Sequence, residues 1–442
     1  MAALSAADGA AIRAVRRSDV ELAVSGLRPH LVASRWLKTT NRYKTDIVKR
    51  LKADLPLNTG RQQDLAEYIA ASSILHANDG WSYLGCALSA LLQGDAHRAL
   101  HLAYYAELRA ALSLLASDGI GVFNFNHFVL KGGGRTAKLE HGRGTHAAAW
   151  DILQFWSGEL SSGTLFSKLV RPEGRTLDEW FRPHGGGAAI APQAQSWFQM
   201  WGMDLSLAHE DQNARNESSY APDGVGPSWG TSAAQGLEFV SSLWVSLKPS
   251  PASSFAELDR YILRRSLEGL FKGRHGRAAS ANDLDYRRLV ATTVQSQGFT
   301  GTPAKLWEDF LTRRTQTNDP AIFSESAKAI AHTSDDAFSI ISRAVLLLRV
   351  ATGSARDLLQ QSGLTAVDLE FWVQDIGTSR GLWEPADPAP DLRDLWADVD
   401  AALGDIRDGA SPQSVKGLLL DYGATLPVLT SYERVGLWSL CA

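Results

Sequence analysis

Residues Ala96–Ser117 read AHRALHLAYYAELRAALSLLAS, and this stretch decides the fold class. Leu100, Tyr104, Leu108, Ala111, Leu112 and Leu115 recur at helical spacing along one face, with polar residues elsewhere. Gly94 and Asp95 precede the pattern, while Gly119 and Gly121 stop it. Upstream, residues 64–77 place Leu65, Tyr68 and Ile69 on a second apolar stripe. Asp79 and Gly80 read as a break, and residues 81–92 as a third helix carrying Trp81, Leu84, Leu88, Leu91 and Leu92. Three helices joined by tight turns predict an antiparallel bundle.

Downstream the period changes. Residues 121–130 (GVFNFNHFVL) alternate in the manner of a strand, Gly132 to Gly134 supply a turn, and Arg135 to Glu140 return. Helical patterning resumes at Thr145 with Trp150, Leu153, Phe155 and Trp156. The Gly- and Pro-rich stretch at 220–230 reads as a domain boundary. The expected class is therefore all-α. It comprises an N-terminal helical arm (1–60), a helical bundle with a small β-hairpin (61–225) and a helical C-terminal domain (230–442).

The 442 residues carry 44 Lys and Arg against 48 Asp and Glu, a net charge of -4, so any contact with nucleic acid must use a local patch. Two cysteines exclude a disulfide framework and a Cys-rich zinc site. Near Met1 the chain has arginines but no continuous apolar segment, and the apolar run Ala344 to Leu348 between Arg343 and Arg349 is too short to span a bilayer. A cytoplasmic location and no membrane partner are expected. Fourteen Trp beside three Met imply many contacts locked by an indole, or a subunit interface.

Candidate chemistry is sparse. His97 and His101, four apart on a helix, lack a third ligand, and no paired CxxC, HExxH or GxSxG pattern occurs, so no metal and no cofactor is expected. Lys131 precedes its glycines and a strand follows, the reverse of a phosphate-binding loop. Residues 204–220 (DLSLAHEDQNARNESSY) gather Arg215, Asn216 and Tyr220 within about one and a half turns, with His209 six residues before Arg215. A guanidinium, an amide and a phenol so placed suit a phosphate or a nucleobase. An exposed helix end capped by Asn216 and Ser218 explains the same residues. Further on, Arg260, Arg264, Arg265, Lys272, Arg274 and Arg277 interleave with Tyr261 and Phe271, a pattern suited to nucleic acid or to a solvated helix face.

Tyr104 and Tyr105 on a long helix, a Gly-rich stretch, then His141 and Gly142 together resemble the YaaC-like branch of the HEPN superfamily, over about residues 61–220. The resemblance implies a bacterial helical bundle of the kind found among RNases, toxins and phage-defence systems. The family's nuclease signature is an Arg followed four to six residues later by a His, frequently beginning Arg-Asn. Arg215 and Asn216 match its start, with Tyr220 where the His belongs, while Arg135 and His141 match its spacing within the hairpin. A phenol is a poor base near neutrality. The expectation is thus a non-catalytic subunit of a bacterial multi-protein system such as anti-phage defence. It would bind other protein subunits or a second copy of itself, and RNA or DNA through the basic region. The alternative is a metal-independent HEPN-type RNase or toxin centred on Arg215, Asn216, Tyr220 and His209.

Overall fold

The computed structural model describes residues 4–220, 232–333 and 335–441. The protein is helical, with one small antiparallel sheet among the described residues. The chain divides into two compact units: residues 1–156, 206–241 and 329–442 form the first, and 157–205 with 242–328 the second. The boundary expected at 225–230 lies outside the described residues. The units also differ from consecutive halves, because residues 329–442 belong with the N-terminal bundle.

In the first unit, α1 (Thr59–Leu92) and α2 (Ala96–Ser117) start on side-chain caps: Asn58 accepts from the Arg61 amide and Asp95 from the Arg98 amide. The expected break at Asp79 and Gly80 does not occur, and α1 runs unbroken for 34 residues. A Cβ on Gly80 would lie 2.5 Å from Leu348 and 3.3 Å from the Ala106 carbonyl, so the glycine lets two helices approach closely. Leu348 belongs to α5 (Asp336–Gln361), the third helix of this core. Trp81 is fully buried and donates its indole N–H to Thr352 of α5 at 2.9 Å. Among the described residues α5 alone is long and apolar enough to cross a membrane, and 94% of that apolar window is packed inside the protein.

A hairpin is present, but residues 122–127, expected to alternate as its first strand, form a loop, and a short additional strand precedes them. β1 (Ile120–Gly121) pairs with β2 (Phe128–Lys131), and β2 with β3 (Arg135–Lys138), all antiparallel, in the order β1-β2-β3. Gly133 and Gly134 close the turn with φ of 74° and 69°, which non-glycine residues rarely adopt. α3 (Thr145–Ser157) and α4 (Ala208–Tyr220) complete the part of this unit that matters below.

The second unit is built around aromatic residues. Trp180, Trp197 and Trp201 are fully buried, Phe166 stacks on Trp201 at 5.9 Å, and the Trp201 indole donates to Ser266. Its arginines are largely structural. Arg264 is 0% exposed, paired with Asp319, and donates to the carbonyls of Phe310, Gln316 and Asn318. Arg313 bridges Glu268 and Asp319, and Arg265 lies 3.6 Å from Asp319. Arg260 pairs with Glu257 over the rings of Trp307 and Phe310, Arg274 donates to the His184 carbonyl, and Arg277 pairs with Asp283. Lys272 is exposed. A buried guanidinium with all its donors engaged offers nothing to a phosphate, so Arg264 is withdrawn from any surface role.

Candidate active site

α4 is an unusual helix for a packed protein. Only Ala208, Asp211 and Ala214 of its 13 residues are buried, so it has almost no apolar face to hold it. Polar contacts replace that face. Against α2 it runs antiparallel, turn by turn: Ser219 meets His101, Arg215 meets Tyr104 and Tyr105, and Asp211 meets Glu107. From the other side, Arg343 of α5 forms a double hydrogen bond to Asp211, with Nε donating to Oδ2 at 2.7 Å and both side chains fully buried. Burial and the adjacent Asp211 charge lift Glu107 well above the usual carboxylate range. Burial lifts Asp211 less decisively, because the Arg343 charge opposes it. Burial thus favours the protonated form of Glu107, while the Arg343 charge favours the ionised form of Asp211.

At the N-terminal turn of α4, His209 places Nε2 3.4 Å from Oδ1 of Asp151 on α3. The other Asp151 oxygen accepts from His141 Nε2 at 3.1 Å and from Arg143 Nη1 at 2.7 Å. One carboxyl group thus gathers two imidazoles and a guanidinium. Asp151 has a fully buried side chain, while those of His209 and Arg143 are 24% and 40% exposed, so the cluster opens from an enclosed carboxyl to solvent. His141 Nε2 is hydrogen-bonded to Asp151, whereas His209 Nε2 and Asp151 Oδ1 lie within ion-pair distance without a hydrogen bond between them.

Further along α4 lies the second part of the site. The Arg215 guanidinium sits 5.0 Å from the Tyr105 ring and 5.9 Å from that of Tyr104, donating to the Tyr105 hydroxyl and, at 2.8 Å, to Asn216. His146 of α3 stacks on Tyr104 at 5.6 Å. The Trp150 indole donates to the Tyr104 hydroxyl at 3.2 Å, and that hydroxyl is 2.9 Å from His146 Nδ1. That hydroxyl, accepting from Trp150, can in turn donate to Nδ1, which would place the His146 proton on Nε2. Burial first, and then the Arg215 charge, depress the pKa of His146 below its ordinary 6.5. His146 is a neutral hydrogen-bond donor beside a cation, an arrangement suited to an anion.

Of the residues singled out in the sequence, Arg215, Asn216 and His209 lie on one helix within this site. Tyr220 does not join them; it is 82% exposed at the helix end. Of the pair with literal signature spacing, His141 belongs to the cluster, whereas Arg135 stays on the hairpin, bonded to the Gly132 carbonyl. Arg143, His146 and Asp151 were missed. The five-residue steps from His141 to His146 to Asp151 were a usable signal, since the last two fall on the helix expected from Thr145. Compared with protein-family models, curated proteins and solved structures, the chain finds no match.

Proposed function

We propose that the first unit cleaves RNA without a metal ion, using His209 as the proton-transfer group. The observation that carries this reading is the sharing of Asp151 by His141 and His209 beside Arg143. With Asp151 Oδ1 3.4 Å from His209 Nε2, the ring uses Nδ1 to accept the proton of a ribose 2′-hydroxyl. The 2′-oxygen then attacks phosphorus and the bond to the 5′-oxygen breaks. The His209 imidazolium returns its proton to that oxygen, leaving a 2′,3′-cyclic phosphate and a 5′-hydroxyl. Arg143, Arg215 and the His146 Nε2–H neutralise the charge that builds on the phosphoryl oxygens. The expectation of a binding subunit rests on the missing histidine, the Trp-rich helices and the lack of a cofactor motif; His141 and His209, from outside the Arg-Asn motif, meet at Asp151 instead.

The test uses the purified full chain with mixed-sequence RNA in the presence of a chelator. Cleavage to cyclic phosphates is expected, with a loss of roughly a hundredfold or more for Arg215→Ala and for His209→Ala at an unchanged melting temperature. Intact RNA with the wild-type protein returns the site to a structural role.

A further inference from the structure

Between β1 and β2, residues 122–127 (VFNFNH) make a tight loop around an imidazole. The Phe123 amide donates to His127 Nδ1 at 3.2 Å, which fixes the His127 proton on Nε2, and Nε2 donates to the Arg143 carbonyl at 3.0 Å. The same carbonyl accepts from the Phe125 amide at 3.1 Å. Phe125 is thereby tied to the residue whose guanidinium binds Asp151. Two properties set Phe125 apart. The residue is 57% exposed, and its backbone has φ of 60°. A bulky aromatic in the left-handed region is strained, and a glycine or asparagine would fit better.

We propose that Phe125 is the platform on which a nucleobase of single-stranded RNA stacks beside the cleaved phosphate, an inference that rests on the reading of the site as an RNase. An exposed ring is sequence-tolerant, since every base has a π-face. The loop carries the ring on a scaffold fixed to Arg143, so a stacked base and a phosphate held by Arg143 belong to one ligand. An exposed aromatic held by main-chain bonds is already ordered before the ligand arrives, which lowers the cost of binding.

The test measures binding of a single-stranded 2′-O-methyl oligonucleotide of about eight nucleotides, which cannot be cleaved at a 2′-hydroxyl. Phe125→Gly fits the left-handed backbone, so it should keep or raise the melting temperature while weakening binding by about tenfold or more. Phe125→Tyr should retain wild-type affinity. Equal affinity of wild type and Phe125→Gly overturns the proposal and leaves the cleavage reading intact. Loss in Phe125→Gly together with an inability of the wild type to cleave RNA supports stacking and sinks cleavage. A wild-type protein that binds no oligonucleotide overturns the proposal outright.

Discussion

Arg343→Met should be among the most damaging substitutions in the first unit, and the reason lies in the buried triad beneath α4. Arg343 and Asp211 are both fully buried and doubly hydrogen-bonded. Removing the guanidinium leaves Asp211 enclosed without a counter-charge beside Glu107, and breaking such a pair typically costs about 3–5 kcal/mol. Replacing both members by apolar residues, Asp211→Leu with Arg343→Met, removes the uncompensated charge and gives α4 the apolar anchor it lacks. That double variant should recover most of the loss and equal or exceed the wild type in stability. Glu107→Gln supplies the third arm. Because the folded protein raises Glu107 above its unfolded value near 4.5, its contribution to stability is complete below that pH and declines as pH rises toward the folded value. The glutamine has no proton to lose, so its advantage over the wild type should be absent in acid and grow steadily above about pH 4.5. Equilibrium urea unfolding, with the slope m compared across variants, measures all three. A loss below about 1 kcal/mol for Arg343→Met, or a double variant no better than the single, would refute the reasoning.

Trp81→Ala empties a fully buried indole site and strands the Thr352 hydroxyl, so urea unfolding should show a loss of about 3–5 kcal/mol. At Gly85 an added Cβ would lie 2.3 Å from the Thr430 carbonyl and 3.3 Å from the Tyr432 nitrogen, both main-chain atoms. Gly85→Ala should therefore cost about 1–3 kcal/mol in spite of alanine's better helix propensity, and a rise in melting temperature would contradict this close approach. Burial drives His127 down to about 4, with the hydrogen bond to the Arg143 carbonyl pulling the other way. Its stabilising contribution is complete above pH 6.5, the ordinary value, and is lost as pH falls through about 4, a change of about 3 kcal/mol that His127→Asn should flatten in a pH series of urea midpoints.

The sequence was most informative where contacts are local. The stripe of Ala96–Ser117 and the glycine turn at 132–134 each specify their element through residues a few positions apart, whereas the alternation over 122–127 falls in a loop. Gly80 was misread because its reason is Leu348, on a helix far along the chain, and no window contains both. Arg343 had looked like a polar flank of an apolar run, yet its partner Asp211 is 132 residues away. In the second unit, interleaved cations and aromatics suit either a nucleic-acid surface or a solvated helix face. Composition cannot distinguish an arginine facing water from Arg264, whose partners are Asp319 and three main-chain carbonyls.

The same limit explains how the site was half legible. Residues 204–220 are polar, and that polarity suits both a cluster of functional groups and an exposed helix end. Both follow from one physical fact. A helix with only Ala208, Asp211 and Ala214 buried must be held by charges and hydrogen bonds, and those groups are also the ones able to act on a substrate. His209 is held by Asp151 and Arg215 by the ring of Tyr105, while Asp211 between them is fixed by Arg343. The contact that anchors α4 deepest lies between its two candidate functional groups. Loosening Asp211 should therefore disturb His209 and Arg215 together, whereas substituting either of them leaves the helix attached through the other contacts.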